Sequence, residues 1–339
     1  MAHVATITID HTKVPGDLTD YVGLIVPDGS AGYSALYALC LEGGGDIRLF
    51  KSDDTTELAR EIVSFSVSAE TGEIHYRYTG TLSSSVDTDI HVYADGSSSD
   101  YAVGATYGRN AVWSDYEFVS HDGGGGDSTG NGNTGTSVGS PSIGGATGKV
   151  GSGTELNGSS QWFTYTGIPV TVPATVTSWQ KSDTPNTLAG LYDGDPSEND
   201  WDFYLEAGGY YFFVKNTGGS SYRLDGTATV VADTWNHLAT VFASGTTKLY
   251  ENASLSDSAS QTAKYGEITT IGDNGPTYSG REWNGTLDEI RVKNSESSAN
   301  EITAGYNNQD SYSTFYSVAA VGGGSTPAQA ARRGAVMMM

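Results

Sequence analysis

Hydrophobic and polar residues alternate with a period of two over much of the chain, and Gly, Asp, Asn and Ser interrupt the alternation at short intervals. Successive side chains of a β-strand point to opposite faces, so this pattern predicts short strands joined by tight turns. The runs of the first third are VATITID, YVGLIVP, DIRLFKS, EIVSFSVSA, IHYRYTG and DTDIHVYADG. Strands of this length with turn residues between them predict a β-sandwich.

Strand-like runs resume at about residue 149 and continue almost to the C-terminus. They are TELNGSSQWFTYTG, VTVPATVTSWQK, NTLAGLYDG, WDFYLEAGGYYFFVKN, YRLDGTATVVADTWNHLATVFAS, TKLYENASL, EITTIGDN and GTLDEIRV. Aromatic residues alternate with polar ones in WDFYLE and YYFFVKN, which predicts a core between two packed antiparallel sheets. The segments SAGYSALYALCLE and SANEITAGYNNQ predict only one or two turns of local helix. The predicted fold class is therefore all-β, with two β-sandwich domains.

Composition narrows the possible partners. The 45 Gly and 21 Tyr against 9 Pro are typical of a β protein with many turns. A net charge of -23 excludes nucleic acid and anionic membrane surfaces as partners, because like charges repel. No apolar run approaches the ~18 residues of a membrane span, and the N-terminus lacks a signal-peptide pattern. Cys40 is the single cysteine, so no disulfide forms within the chain, and its apolar neighbours predict a buried thiol.

The order of motifs in the second part resembles that of a known family. The motifs are DSTGNGNTGT, GKVGSGTELNGSSQWFTY, DTWNHLATVF with TKLYENASL, and NGTLDEIRVKNSESSANEITAGYNNQ. They resemble a laminin-G-like jelly roll of the concanavalin-A-like lectin/glucanase superfold, over about residues 116–318. The first third resembles the uncharacterised β-domain that often precedes such jelly rolls in bacterial surface proteins and tailed-phage virion proteins.

The resemblance also implies where the domains divide. On composition alone, the glycine-rich stretch after YEFVSH would be a flexible linker. In the family, however, the first strand precedes the D-S-x-G-N motif, so YEFVSH is expected to be the first strand and the stretch an internal loop. The predicted parts are an N-terminal β-sandwich at 1–115, the jelly roll at 116–318 and a Gly-rich basic tail at 319–339.

Glucanases of the same superfold carry an E-x-D-x-E strand, whose alternation places two catalytic acids on one face. Here the acids of the last strand, Asp288 and Glu289, are adjacent, and adjacent strand residues point to opposite faces. The sequence therefore predicts no enzymatic activity. The resemblance implies that Leu287 and Ile290 lie in the core, with Arg291 near an acid.

Calcium is a possible cofactor of the glycine-rich loop, since Ca²⁺ prefers carboxylate and amide oxygens. The loop is not an EF-hand, because Thr129 and Val138 occupy positions where that motif needs ligands. Asx-turn geometry explains the same residues without an ion, and both interpretations stay open. The residues expected at a calcium site are Asp127, Asn131, Asn133 and Asp288.

Two segments combine aromatic side chains with hydrogen-bonding ones, as a glycan site requires. These segments are YDGDPSENDW and DNGPTYSGREW. The alternative is that Trp201 and Trp283 face the core, and the sequence does not tell whether the segments lie at one end of the sandwich. The residues expected to bind glycan are Tyr192, Asp195, Asn199, Trp201, Asp273, Asn274, Tyr278, Arg281 and Trp283.

These features together predict a virion surface protein of a tailed phage: a capsid decoration, a head fibre or a tail-associated adhesion module. Such a protein would be made in the host cytoplasm and would contact capsid or tail proteins, further copies of itself, and a host-surface or environmental glycan. Arg332 and Arg333, in an otherwise acidic chain, are the expected anchor to an acidic partner. The alternatives are a bacterial cell-surface carbohydrate-binding or adhesion protein and, third, a glucanase-like hydrolase.

Overall fold

The computed structural model describes residues 1–194, 201–264, 266–273 and 280–321. Most of its elements are strands, and every strand pair is antiparallel, so the predicted all-β class is confirmed. The strands are β1 Ala2–Ile9, β2 Leu18–Ile25, β3 Arg48–Lys51, β4 Glu57–Ser66, β5 Thr71–Leu82, β6 Thr88–Ala94, β7 Tyr116–Ser120, β8 Thr136–Val138, β9 Ala146–Thr147, β10 Ser152–Asn157, β11 Trp162–Val170, β12 Ala174–Ser182, β13 Ala189–Asp193, β14 Trp201–Glu206, β15 Gly209–Lys215, β16 Ser221–Asp225, β17 Trp235–Ala243, β18 Thr246–Glu251, β19 Ser254–Ala259, β20 Gly266–Ile271, β21 Asn284–Lys293 and β22 Tyr316–Ala320. The α-helices are α1 Ser34–Leu39, α2 Arg109–Val112, α3 Ala299–Asp310 and α4 Tyr312–Phe315, and 3₁₀ turns occupy His11–Lys13 and Ala31–Tyr33. None of the helices in these described ranges is long and apolar enough to cross a membrane.

The N-terminal domain is one seven-stranded sheet in the order β2-β5-β4-β3-β6-β1-β22. Strands from both ends of this order contribute to a single buried cluster, which includes Ile7 of β1, Tyr21 of β2 and Tyr76 of β5. The sheet therefore folds over its own core, and its two halves act as the two layers of a sandwich.

The last strand of the described residues, β22, belongs to this first sheet, and the predicted limits of the jelly roll at 116–318 are wrong at the C-terminal side. Strand β22 pairs antiparallel with β1, with Val318 opposite Ile7. Phe315 and Tyr316 are buried in the N-terminal core. The predicted tail therefore begins inside a strand, since Ala319 and Ala320 also pair with β1. Residues 322–339, with the anchor residues Arg332 and Arg333, lie outside the described residues.

The second domain consists of two packed sheets. We call the first the interface sheet; its order is β19-β18-β17-β12-β21-β10-β9, and β7 also pairs with β21. We call the second the open sheet; its order is β16-β15-β14-β13-β20-β11-β8. Phe118 and Leu287 of the interface sheet share one core with Phe163 and Phe203 of the open sheet. The first strand of this sandwich is β7, as the resemblance implied.

Helix α3 lies between the two domains. Ile302 packs against buried residues of the interface sheet, and Tyr306 stacks on Trp179 of that sheet at 5.5 Å between ring centroids. On the other side of the helix, the Asn308 side chain accepts from the backbone N–H of Leu24 (2.8 Å) and donates to its carbonyl (3.0 Å). The outer face of the interface sheet is thus used for domain packing.

Candidate functional site

Two residues expected to present aromatic rings to a glycan are buried in the jelly-roll core. Tyr192 is 3 % exposed and Trp283 is completely buried, and both belong to the main hydrophobic cluster. A sugar ring stacks only on an accessible aromatic face, so the prediction is wrong for these two residues. The open alternative for Trp283, that it faces the core, is the correct one.

The structure describes only part of the two predicted glycan-binding segments. Asp273 is buried, and the carbonyl of Arg281 accepts from the Gly190 N–H at 2.7 Å. Strands β13 and β20 are antiparallel neighbours, so the segments that follow them leave this pair in opposite directions. The predicted residues Asp195, Asn199, Asn274 and Tyr278, and the side chain of Trp201, lie outside the described residues.

The outer face of the open sheet carries a group of partly exposed aromatic and charged side chains. Along β14 and β15, Phe203, Tyr210 and Phe212 point into the core, so the residues between them point outwards. The same alternation in β16 buries Leu224. We call the outward set the aromatic face; it comprises Asp202, Tyr204, Tyr211, Phe213, Arg223 and Asp225.

Direct contacts order the aromatic face. Tyr204 and Tyr211 are cross-strand partners, and their rings stack with centroids 5.6 Å apart and planes 25° apart. The Arg223 guanidinium lies over the Tyr211 ring, 4.7 Å from its centroid. Asp225 holds this guanidinium, accepting from Nε at 2.5 Å and from Nη2 at 3.0 Å. Together these contacts order a partly exposed group of aromatic rings with charged groups beside it.

A carboxyl pair borders the aromatic face on strand β13. Asp193 lies directly opposite Asp202 and is 4 % exposed. Burial, and then the hydrogen bond that the protonated Asp193 carboxyl donates to Asp202, raise the pKa of Asp193 to about 9. Its Oδ2 has no hydrogen-bond partner among the described residues. At neutral pH, Asp193 is therefore a protonated acid that shares hydrogen bonding with Asp202.

Sequence reasoning missed the aromatic face because it assigned the aromatic residues of WDFYLE and YYFFVKN to the core. Alternation allows only every second residue of each strand to be in the core. Tyr204, Tyr211 and Phe213 occupy the remaining positions, where a sheet exposed to water normally carries polar residues. The sequence signal for the aromatic face was the presence of aromatic residues on both faces of two consecutive strands, β14 and β15.

The adjacent acids of β21 lie on the same face, and the expectation of opposite faces is wrong. Strand β21 contains a bulge where it pairs with β12. Asp288 pairs with Trp179 and Arg291 pairs with Thr177, so two residues of β21 lie opposite one residue of β12. Glu289 is the extra residue, and its φ is +49°. As expected, Leu287 and Ile290 are in the core. Asp288 and Glu289 both point away from this core, towards the N-terminal domain.

Neither acid of β21 is placed for hydrolysis of an external substrate. Asp288 is completely buried, and its two oxygens accept from the backbone N–H groups of Val150 (2.9 Å) and Glu289 (2.8 Å). Glu289 is 1 % exposed and pairs with Arg291, which was expected to lie near an acid. The acids are part of the packing between the domains.

The glycine-rich loop has the geometry of Asx turns. Asp127 Oδ1 accepts from the N–H of Thr129 (2.9 Å), and Oδ2 accepts from the N–H of Asn133 (2.7 Å). The side-chain amides of Asn131 and Asn133 donate to the carbonyl of Glu117, at 3.1 Å and 2.8 Å. These contacts occupy the carboxylate without an ion, and Asp288 is bound to Val150 instead. Calcium at this loop stays a prediction.

Comparison with known proteins agrees with the fold. Residues 157–303 match the family described as the concanavalin A-like lectin/glucanases superfamily. The part of the chain that matches has the jelly-roll architecture of this superfamily, as the resemblance of its motifs implied. No curated protein sequence matches the chain at a significant level.

Several solved structures are similar to part of the chain. Domain 4 of AbnA, an extracellular arabinanase from Geobacillus stearothermophilus solved with arabinotriose, is 21 % identical with a TM-score of 0.43, covering 52 % of this chain and 90 % of that one. The binding domain of Paraclostridial Mosquitocidal Protein 1 is 15 % identical (TM-score 0.42; 54 % and 49 % covered). The receptor-binding domain of botulinum neurotoxin mosaic serotype C/D is 12 % identical (TM-score 0.46; 58 % and 52 % covered). The chain spans about half the length of the last two structures.

Proposed function

We propose that the protein binds a neutral saccharide on the aromatic face of the open sheet. The observation that carries this proposal is the stacked pair of Tyr204 and Tyr211, half-exposed on a jelly-roll sheet whose other layer is used for domain packing. The apolar face of a pyranose or furanose ring packs on such an aromatic surface. Its hydroxyl groups require hydrogen-bonding partners at the edge of the rings, which Asp202, Arg223 and Asp225 provide.

The charge of the chain supports a neutral ligand. The net charge of -23 repels anionic polysaccharides over distances of about a Debye length, which is ~8 Å at physiological ionic strength. On the aromatic face, Arg223 already pairs with Asp225. We therefore expect binding that changes little between low and moderate salt, in contrast to binding dominated by ion pairs.

The experiment is a binding panel of neutral and anionic polysaccharides, followed by titration calorimetry with the best oligosaccharide. Tyr204→Ala and Tyr211→Ala should each lower the affinity about tenfold or more, because each removes half of the stacked surface. Tyr107→Ala is the matched control: Tyr107 is a partly buried tyrosine of the N-terminal domain, near Tyr101. Equal loss in all three variants, or no loss in the first two, would contradict the proposal.

A hydrolase is the second candidate, because Asp193 and Asp202 place one carboxyl with a raised pKa beside another. Retaining and inverting glycosidases separate their two carboxyl groups by about 5 Å or more, to hold the scissile bond or a water between them. A hydrogen-bonded pair leaves no such space, which favours binding without cleavage. Reducing-sugar release by the wild-type protein, abolished in Asp193→Asn, would establish the hydrolase instead.

The biological setting remains the one inferred from the sequence: the surface of a tailed-phage virion, with a bacterial cell-surface adhesion protein as the alternative. A glycan-binding domain fits both settings, since each brings the protein into contact with host or environmental polysaccharide. Detection of the chain in purified particles by mass spectrometry would establish the first. Neighbouring genes for capsid, portal or tail proteins would support it, and a neighbourhood of cell-wall genes would favour the alternative.

A further inference from the structure

Four ionisable side chains converge between the two domains, and all of them are buried. The N-terminal domain contributes Glu73 and His75 from β5, and the jelly roll contributes His121, just after β7, and Glu289 from the bulge of β21. One potential ligand atom from each residue lies within 4.8 Å of the other three. This grouping brings together residues that are far apart in sequence, on strands whose positions are fixed by two separate cores.

The ligand atoms form a ring in which oxygen and nitrogen alternate. Glu73 Oε1 lies 3.0 Å from His75 Nε2 and 3.6 Å from His121 Nδ1. Glu289 Oε1 lies 3.7 Å from His75 Nε2 and 2.6 Å from His121 Nδ1. A tetrahedral Zn²⁺ site, with metal–ligand bonds of about 2.0–2.2 Å, requires separations of about 3.3–3.5 Å between ligand atoms. Two of the four observed separations are shorter than this range and two are longer.

The surrounding contacts leave the ring atoms free for an ion. Glu289 Oε2 is occupied by Arg291 and by Gln309 Nε2 (3.1 Å), so Oε1 is the oxygen that faces the histidines. Glu61 Oε2 lies 3.2 Å from His121 Nε2, where it can accept the proton of that nitrogen and leave the Nδ1 lone pair for a metal. A carboxylate on the far nitrogen of a ligating histidine is a recurrent feature of zinc sites.

We infer that Glu73, His75, His121 and Glu289 form a structural site for Zn²⁺ that links the N-terminal domain to the jelly roll. Two imidazole nitrogens with two carboxylate oxygens suit Zn²⁺ better than Ca²⁺ or Mg²⁺, which prefer all-oxygen sites. Four protein ligands in a buried position leave no open coordination site, which is typical of a structural rather than a catalytic ion. A cleft that reaches Glu61 and His121 gives the ion a route from solvent.

The charges of the cluster suit a divalent cation, because the two ligating carboxylates of Glu73 and Glu289 would balance it. The ion would hold strands of both domains at the same point, so its binding energy would add to the stability of the whole chain.

The test is a Zn²⁺ titration of the full chain after treatment with chelator. Surface groups could bind Zn²⁺ too, because His91 lies with His3 and Asp54, and His11 lies with two aspartates. The reference protein is therefore His11→Ala/His91→Ala, which retains the buried cluster. We expect this protein to retain one equivalent of Zn²⁺ per chain after desalting and to unfold at a higher temperature with the ion than without it.

Glu73→Gln in the same background is the matched variant, since it changes one ligand oxygen and keeps the shape of the side chain. It should bind Zn²⁺ at least 100-fold more weakly, and its unfolding temperature should not respond to the ion. Equal retention by both proteins, or no retention by the reference, would overturn the inference. Co²⁺ added to the His11→Ala/His91→Ala reference protein decides the matter if Glu73→Gln does not fold. Intense visible absorption of four-coordinate Co²⁺ supports the site, and the weak spectrum of six-coordinate Co²⁺ contradicts it.

Discussion

Glu289 shows how one residue changes the interpretation of its neighbours. Sequence alternation predicted that Asp288 and Glu289 point to opposite faces, but the bulge at Glu289 resets the alternation by one residue. A bulge depends on which backbone groups the neighbouring strand offers, and a single sequence does not contain that information. The expected core positions Leu287 and Ile290 were nevertheless correct, because apolar residues report burial directly.

Substitution of Glu289 tests the buried charge network in the absence of metal. Glu289→Ala leaves Arg291 without its carboxylate and removes the oxygen 2.6 Å from His121 Nδ1. Loss of one partner of a buried ion pair costs about 3–5 kcal/mol, so urea unfolding in the presence of chelator should show a decrease of that order in the free energy of unfolding. Asp225→Ala removes the exposed partner of Arg223 and should cost less than about 1 kcal/mol. Equal costs for the two variants would contradict the described network.

Asp193 gives a prediction for the pH dependence of stability. Its pKa is about 9 in the folded protein and about 3.9 in an unfolded chain, so the folded state binds the proton more tightly. The contribution of Asp193 to stability is therefore greatest below about pH 4 and is lost progressively as the pH rises towards 9. Asp193→Asn removes this loss and should stabilise the protein at pH 8 relative to its effect at pH 4, by up to about 5 kcal/mol, the limit that the two pKa values set. Unfolding curves at the two pH values measure the difference, and an effect of Asp193→Asn that is the same at both would contradict the raised pKa.

At the scale of elements, the strands were predictable and their partners were not. Alternation and turn residues located most strands of both domains, and the motif order identified the jelly roll. The segment SANEITAGYNNQ was expected to form one or two turns, yet α3 has 12 residues. Its contacts are with both domains, through Ile302, Tyr306 and Asn308, so tertiary packing stabilises a helix that the sequence pattern alone does not indicate. The pairing of β22 with β1 joins segments about 310 residues apart in sequence, and no local pattern could predict it.

Substitutions in β22 test its place in the N-terminal sheet. Val318 packs on the N-terminal core, whereas the preceding residue, Ser317, is exposed. Val318→Asp would bury a charge and should lower the free energy of unfolding by about 2–3 kcal/mol, while Ser317→Asp should change it by less than about 0.5 kcal/mol. Urea unfolding of the two variants gives the comparison. If β22 were a mobile tail, both substitutions would have the same small effect.

For the molecule as a whole, the two sheets of the jelly roll have different surroundings. The interface sheet contacts α3 through Trp179 and Glu289, and Glu289 also lies near His75 of the N-terminal domain, so we propose the open sheet as the ligand-binding one. The acidic composition argues against nucleic acid as a partner, but composition could not distinguish the two sheets. Tyr192 and Trp283 are buried because they face the core between the two sheets, whereas Tyr204 and Tyr211 lie on the outer face of the open sheet and are partly exposed.

Hydrogen–deuterium exchange of the full chain, with and without the best neutral oligosaccharide of the binding panel, tests the central claim most directly. We predict slower exchange in peptides covering β14, β15 and β16, with no change in the N-terminal sheet. Protection confined to the glycine-rich loop or to the N-terminal domain, or no protection anywhere at saturating saccharide, would contradict the assignment of the aromatic face as the glycan-binding surface.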